Sequence, residues 1–166
     1  MIFRIAPIAA AALLATTLGP APRASTLQPW PGVAEVMRPI KGAIAEINAD
    51  DARGLSSYFA PDAIVVDDLA PFSWRGPDAS SHWLADRDDY NALGRITNWR
   101  AIAHDPMTIS IEKNATAYAV VPVTISADFH GTLVRRTRFL TLALQHTEGA
   151  WKITSASWLT QIQKPK

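Results

Sequence analysis

The sequence contains no cysteine, so neither disulfides nor thiol chemistry can contribute to its fold or to a catalytic mechanism. An excess of one charge is also missing, because 16 basic residues stand against 15 acidic residues. Nucleic-acid-binding proteins and proteins that bind anionic membranes carry clustered positive charge, so neither kind of partner is expected. Glycine-rich phosphate loops, nucleophile elbows and metal-ligand spacings of histidine are lacking too, and we predict no cofactor and no metal.

Long apolar runs are confined to the N-terminus. A positive charge at Arg4 precedes an alanine-rich apolar stretch over 5–18, and small residues follow up to Ala24. This pattern is typical of a cleavable secretory signal peptide. A membrane anchor is the alternative, but Pro7 and the pair Gly19-Pro20 shorten the apolar run below the length of a spanning helix. We expect cleavage after Ala24 and a periplasmic or secreted protein with no membrane contact.

The chain after Ala24 has the length of one domain. It would keep 142 residues, with 14 basic and 15 acidic side chains, because cleavage removes Arg4 and Arg23 and no acid. A domain of this size buries about two thirds of the surface of its unfolded chain. We divide the sequence into the signal peptide 1–24, an N-terminal arm 25–32, a folded domain 33–161 and a tail 162–166.

Apolar periodicity divides the folded domain into a helical first part and a strand-rich second part. The first predicted helix begins at Val33, with a kink or restart at Pro39. The second, shorter helix begins at a cap at Asp50 or Asp51 and is ended by Pro61, and the third covers 77–92. A short strand over 63–67 and a loop over 69–76 lie between the last two helices. Further strands are expected near 97–104, 107–112, 116–128, 132–146 and 150–161. This order predicts an α+β fold, with helices against one face of a curved, mainly antiparallel sheet.

Several short motifs follow one another along the folded domain. Asn-Ala-Asp-Asp-Ala-Arg-Gly-Leu at 48–55 leads to Tyr-Phe-Ala-Pro-Asp-Ala at 58–63, Trp-Arg-Gly follows at 74–76, and Gly-Ala-Trp-Lys-Ile stands at 149–153. The set resembles the NTF2-like superfamily, which includes SnoaL-like cyclases, ketosteroid isomerases and scytalone dehydratase. The resemblance implies a cone-shaped fold with a pocket between helices and concave sheet, and a homodimer formed through the sheet. The superfamily hosts many activities, so function has to be argued from the pocket.

The resemblance places Asp67 where ketosteroid isomerases keep their proton-shuttling aspartate, which makes it the candidate catalytic general base. A buried carboxylate suits that role because burial raises its pKa toward the working range. The alternative is that Asp67 caps a loop or pairs with an arginine. Ala43 and Thr141 fall at the positions of the two groups that stabilise the enolate oxygen in those enzymes, so steroid isomerisation is not expected.

An apolar pocket wall is predicted from aromatic and hydroxyl side chains on several elements. The candidate ligand-binding residues are Tyr58, Trp74, Trp83, Tyr118, Phe139, Thr141 and Trp158. Ordinary core packing is the alternative for the tryptophans. Arg135, Arg136 and Arg138 form a local basic run. We expect Arg136 and Arg138 to lie on a solvated outer face or dimer rim, and Arg135 to lie nearer the pocket mouth. The alternative for Arg136 and Arg138 is an anion site.

Three functions remain open from the sequence. The first is an exported protein that binds a small apolar or aromatic molecule. The second is an isomerase, cyclase or dehydratase that uses Asp67 as a general base. The third is a non-catalytic dimerising module that uses the exposed sheet face. The sequence does not decide whether the protein is an enzyme.

Overall fold

The computed structural model describes residues 32–113 and 115–160. The predicted signal peptide 1–24, the arm up to residue 31 and the tail 162–166 lie outside the described residues. Among the helices of the described part, none has the length and apolar character needed to span a membrane.

Three helices precede or interrupt the start of the sheet: α1 covers Val33–Ala49, α2 covers Ala52–Ser56 and α3 covers Ala79–Leu93. The buried side chains of α1 recur every three to four residues, as the apolar spacing predicts. Pro39 lies inside α1 without ending the helix. Asp51 caps α2, because its carboxylate accepts a hydrogen bond from the backbone N–H of Gly54 at 2.9 Å.

Seven strands form one sheet: β1 covers Phe59–Val66, β2 Ser73–Arg75, β3 Ile96–Ala103, β4 Thr108–Glu112, β5 Thr116–Phe129, β6 Thr132–Thr147 and β7 Ala150–Thr160. The strand order is β2-β1-β7-β6-β5-β3, and β4 also pairs with β5. All of these pairs are antiparallel except β1 with β7, which is parallel. The α+β architecture, with helices on a mainly antiparallel curved sheet, is therefore confirmed.

Two tight turns connect the long strands β5, β6 and β7. His130 and Gly131 both have positive φ, and so do Glu148 and Gly149. Two-residue hairpin loops of type I′ need a positive φ at both central residues, which glycine adopts without strain. These turns set the register that brings Leu140 opposite Trp158.

The structure corrects the sequence reading between residues 56 and 76. The predicted second helix is shorter than expected, because it ends at Ser56 and Phe59 already begins β1. Pro61 lies in that strand where the pairing with β7 shifts register, so its missing N–H interrupts no ladder bond. The predicted loop 69–76 contains the short strand β2, which pairs with β1 around Trp74.

The core lies between α1, α3 and the concave face of the sheet. Leu140, Leu142 and Leu144 of β6 point into it from every second position. Ala156 and Trp158 of β7 face the same side. The concave face of the sheet therefore forms one wall of the interior, and the two helices form the other.

Candidate functional site

A small cavity lies in the interior formed by the described residues. Its lining is wholly apolar and comes from α1, α2, α3 and the strands β1, β6 and β7. The lining residues are Ile40, Ala43, Ile44, Ile47, Leu55, Phe59, Val65, Trp83, Leu140, Leu142, Ile153, Ala156 and Trp158. The cavity volume is about 20 Å³, which is room for about one water molecule. Any larger ligand would have to displace lining side chains.

Asp67 lies directly beyond the end of β1, two residues after the lining residue Val65. Its side chain is 5% exposed. One carboxylate oxygen accepts a hydrogen bond from Nε1 of Trp83 at 2.9 Å. The other accepts from Nη2 of Arg138 at 2.6 Å and from the backbone N–H of Asp68 at 2.7 Å. The carboxylate is thus buried beside the cavity and well supplied with donors.

Burial raises the pKa of Asp67 above the usual value of an aspartic acid, and a hydrogen bond with the neighbouring Asp68 side chain raises the pKa further. The positive charge of Arg138 and its hydrogen bond, together with that of Trp83, lower the pKa in the opposite direction without cancelling the effect of burial. A carboxyl group whose pKa is raised by desolvation next to a specific charge partner is typical of functional sites, although structural ion pairs also produce such shifts.

Arg138 connects this carboxylate to its surroundings. Nη2 donates to Asp67, to Asp68 at 2.9 Å and to the backbone carbonyl of Trp158 at 3.2 Å. The guanidinium carbon lies 5.6 Å from the centroid of the Trp158 ring, within the range of a cation–π contact. We call these four residues, Asp67, Asp68, Arg138 and Trp158, the Arg138 cluster.

A second arginine lies at the other end of the same aromatic layer. The rings of Trp83 and Trp158 are stacked, with centroids 5.8 Å apart and planes 11° apart. Arg87 lies on the far side, with its guanidinium carbon 6.0 Å from the Trp83 centroid and 4.5 Å from that of Trp99. The stacked pair Trp83 and Trp158 thus has an arginine against each ring, Arg87 at Trp83 and Arg138 at Trp158.

Among the predicted ligand-binding residues, only Trp83 and Trp158 line the cavity. Trp74 is buried elsewhere in the core, where its Nε1 donates to Asp86 at 2.6 Å. Tyr58 is partly buried and lies against Gly42, where an added Cβ would come within 2.6 Å of the phenol oxygen. The aromatic side chains that were predicted to line one pocket wall therefore lie in several separate places.

Phe139 and Thr141 lie on the opposite face of β6 from the cavity, which differs from the orientation expected for them. The buried positions of β6 are Leu140, Leu142 and Leu144, so Phe139 and Thr141 share the convex face. Tyr118 faces the same convex side and is exposed. The leucine at every second position is the sequence signal that indicates the true orientation of this strand.

Within the basic run of Arg135, Arg136 and Arg138, the predicted placement of Arg138 was wrong. This residue shares the concave face with Leu140 and binds Asp67, instead of lying on a solvated outer face. Arg135 and Arg136 are exposed, and neither is among the residues that line the cavity. The alternative that Asp67 pairs with an arginine is the geometry observed.

Comparison with known proteins defines the class by structure alone. No protein-family model matches the sequence, and no curated protein matches it. Among solved structures, an NTF2-like protein with a cystatin-like fold from Novosphingobium aromaticivorans has 15% identity and a TM-score of 0.65, covering 79% of this chain and 82% of that chain. The structure of a hexachlorocyclohexane dehydrochlorinase of type 3 from Novosphingobium barchaimii gives 10% identity and a TM-score of 0.65, over 80% and 88%.

A third solved structure, a ketosteroid isomerase-like protein from Erwinia carotovora atroseptica, has 9% identity and a TM-score of 0.62, over 80% of this chain and 98% of that chain. The shared architecture is a set of N-terminal helices packed on a curved, mainly antiparallel sheet. The chain has the NTF2-like fold, as its sequence motifs predicted.

Proposed function

We propose that this protein binds a small, mainly apolar molecule between α1, α3 and the concave face of the sheet, with the Arg138 cluster at the polar end of the site. The observation that carries the proposal is the combination of a wholly apolar lining with a buried ion pair beside it. Burying an ion pair is costly, and apolar side chains of similar size often stabilise a fold equally well. A pair kept beside an apolar cavity is therefore better explained by recognition than by stability. Export to the periplasm or the exterior is part of this proposal and rests on the N-terminal pattern.

Binding must rearrange the lining, because the cavity holds about 20 Å³. The stacked rings of Trp83 and Trp158 form part of the wall, so ligand entry should change tryptophan emission. Toluene is a suitable first probe because it is uncharged and has no hydrogen-bonding group. A ligand that binds only the folded state raises the melting temperature with concentration.

The test is calorimetric unfolding in increasing toluene, with tryptophan emission recorded in parallel. We expect a rise in melting temperature in the native sequence and a smaller rise in Ala156→Val, whose added methyl groups occupy the cavity. Ala143→Val is the matched control, because Ala143 faces the convex side of β6. If saturating toluene changes neither melting temperature nor emission in the native sequence, the proposal is wrong.

A second candidate function is catalysis of proton transfer, with Asp67 as general base. The observation in its favour is the raised pKa of this buried carboxyl group. The three hydrogen-bond donors bound to Asp67 argue against this catalytic function, because a general base needs a free lone pair for the substrate proton. The chromogenic probe 5-nitrobenzisoxazole, whose ring opens when a base removes a proton from carbon, tests this function. Equal rates for the native sequence and Asp67→Asn would exclude it.

A homodimer through the convex sheet face is a further proposal, favoured by the apolar side chains exposed there. Leu159 is 50% exposed and Tyr118 46% exposed, and Phe139 is the cross-strand neighbour of Leu159. Sedimentation velocity tests it: Leu159→Glu should produce monomers, whereas Leu93→Glu, at the exposed end of α3, should not. A native protein that sediments as a monomer at micromolar concentration would contradict the dimer.

A further inference from the structure

Arg138 contains a buried hydrogen-bond donor with no partner. Among the described residues, its Nε is the one buried side-chain nitrogen or oxygen that makes no hydrogen bond. Buried polar atoms are nearly always bonded, and an exception in a folded protein needs an explanation. Leaving such a donor unsatisfied costs free energy that a suitable acceptor would restore.

The donor is held in place by the rest of its side chain. Nη2 binds both Asp67 and the backbone carbonyl of Trp158, and the guanidinium lies over the Trp158 ring. Because the guanidinium is planar and rigid, fixing Nη2 and the plane also fixes Nε. Arg138 projects from the same face of β6 as the lining residue Leu140, and its guanidinium lies over the ring of Trp158, which lines the cavity.

The charges of the Arg138 cluster select the type of acceptor. One guanidinium faces two carboxyl groups, those of Asp67 and Asp68, both within 2.9 Å of Nη2. With both acids ionised the cluster carries one net negative charge, and with Asp67 protonated it is neutral. In neither state does the cluster offer an excess positive charge, so an anionic ligand gains no net attraction. An uncharged acceptor fits better.

We propose that Nε of Arg138 donates a hydrogen bond to the carbonyl oxygen of an uncharged aromatic or alicyclic molecule whose apolar body lies against Trp83 and Trp158. The inference rests on the proposed binding function and adds the ligand class and its anchoring residue. A carbonyl oxygen accepts from a charged donor without bringing a charge of its own into the apolar site.

Three probes of similar size test the ligand class: acetophenone, its hydrocarbon isostere α-methylstyrene, and benzoate. Binding is measured by tryptophan emission and by calorimetry at pH 7. We expect acetophenone to bind the native protein about tenfold more tightly than α-methylstyrene, as one hydrogen bond to a charged group predicts. Benzoate should bind more weakly than acetophenone. Equal affinities for acetophenone and α-methylstyrene, or tighter binding of benzoate, would overturn the inference while leaving the binding function intact. Failure of all three to bind would reject both.

Substitution at Arg138 tests the anchoring residue. Arg138→Lys keeps a positive charge but has no group equivalent to Nε, so acetophenone and α-methylstyrene should bind this variant equally. Arg136→Lys is the matched control, because Arg136 lies two residues earlier on β6 and is exposed. The control should keep the tenfold preference. A preference that survives in Arg138→Lys would assign the carbonyl contact to another residue, and the native probe series remains decisive if that variant does not fold.

Discussion

Arg87 and Arg138 are both largely buried, both lie over tryptophan rings, and both bind two aspartates and one backbone carbonyl. They differ in what remains unsatisfied. Every nitrogen of Arg87 has a partner: Nε binds Asp88, Nη1 the carbonyl of Ile47, and Nη2 both Asp50 and Asp88. Arg138 leaves Nε without one.

The aspartates differ as well. Those bound to Arg87 are 64% and 47% exposed. Of the two bound to Arg138, Asp68 is 63% exposed, whereas Asp67 is only 5% exposed. Arg87 therefore attaches the end of α1 to α3, which is a structural task completed by hydrogen bonds that solvent could replace. Burial and ring stacking alone do not distinguish a binding arginine from a structural one. An unsatisfied donor and a buried acidic partner distinguish the two kinds of arginine.

The largest expected effect is the loss of stability on substitution of Arg138 by methionine. Arg138→Met removes the cation from a buried carboxylate, and breaking such a pair costs about 3–5 kcal/mol. The loss should be larger at pH 8 than at pH 5, because protonation of Asp67 relieves the unpaired charge. Urea unfolding at both pH values measures it.

Arg87→Met is the matched substitution for that experiment. Its two aspartates are exposed, so we expect about 1–2 kcal/mol, typical of lost hydrogen bonds, and a weaker dependence on pH. Equal losses and equal pH dependence in the two variants would remove the distinction between Arg87 and Arg138.

A smaller effect is expected when the tryptophan donor to Asp67 is removed. Trp83→Phe keeps an aromatic ring but loses the 2.9 Å hydrogen bond from Nε1 to the carboxylate. A hydrogen bond to a charged group contributes about 1.5–3 kcal/mol, and the smaller ring also enlarges the cavity. The pKa of Asp67 should rise further, because a donor to the charged form is lost.

Trp74→Phe gives the comparison for this prediction, since Trp74 is also buried and donates to Asp86. Carbon-detected titration of the Asp67 carboxyl distinguishes the two variants. An unchanged Asp67 titration in Trp83→Phe would show that this hydrogen bond does not hold the carboxylate.

The pH dependence of stability provides a third test. Because burial raises the pKa of Asp67 in the folded state, the folded protein binds this proton more tightly than the unfolded chain. The contribution of Asp67 to stability is therefore fully present below the unfolded pKa of about 3.9 and is lost as pH rises through the raised folded value. The native protein should lose stability over that window relative to Asp67→Asn.

Asp50→Asn is the matched substitution at Arg87, whose Nη2 binds Asp50 at 2.6 Å. Free energies of unfolding measured in urea from pH 3.5 to pH 8 give a difference curve for each variant. A difference curve for Asp67→Asn that rises with pH in favour of the native protein would have the wrong sign for a buried carboxyl group.

The smallest effect is expected at Arg136, which belongs to the same basic run as Arg138. Its side chain is exposed, so Arg136→Met should change the free energy of unfolding by less than about 0.5 kcal/mol. A loss approaching that of Arg138→Met would mean that position along β6, and not the ion pair, explains the larger effect.

Most of the element order could be predicted from the sequence. The long strands β5, β6 and β7 begin and end within one residue of their expected bounds, because valine, threonine and aromatic runs end at His130-Gly131 and Glu148-Gly149. The short strand β2 was missed. Three residues carry no periodicity, and β2 is a strand only because β1 pairs with it.

The site was predicted less completely than the fold. Asp67, Trp83 and Trp158 were named and do lie together. Arg138 was assigned to the wrong face, although leucine at 140, 142 and 144 places even-numbered residues of β6 inward. The resemblance had placed Phe139 and Thr141 inward, which by alternation puts Arg138 on the outer face.

What the sequence determined by itself was local: the helical stripe of α1, the turns between the long strands, and the alternation of buried side chains along each of them. These depend on neighbours a few residues apart. The tertiary structure alone decided that Arg138 meets Asp67 across 71 positions of sequence and that side chains fill the expected pocket to about 20 Å³. Packing of distant elements decides both, because the volume left between helices and sheet depends on every side chain that lines it.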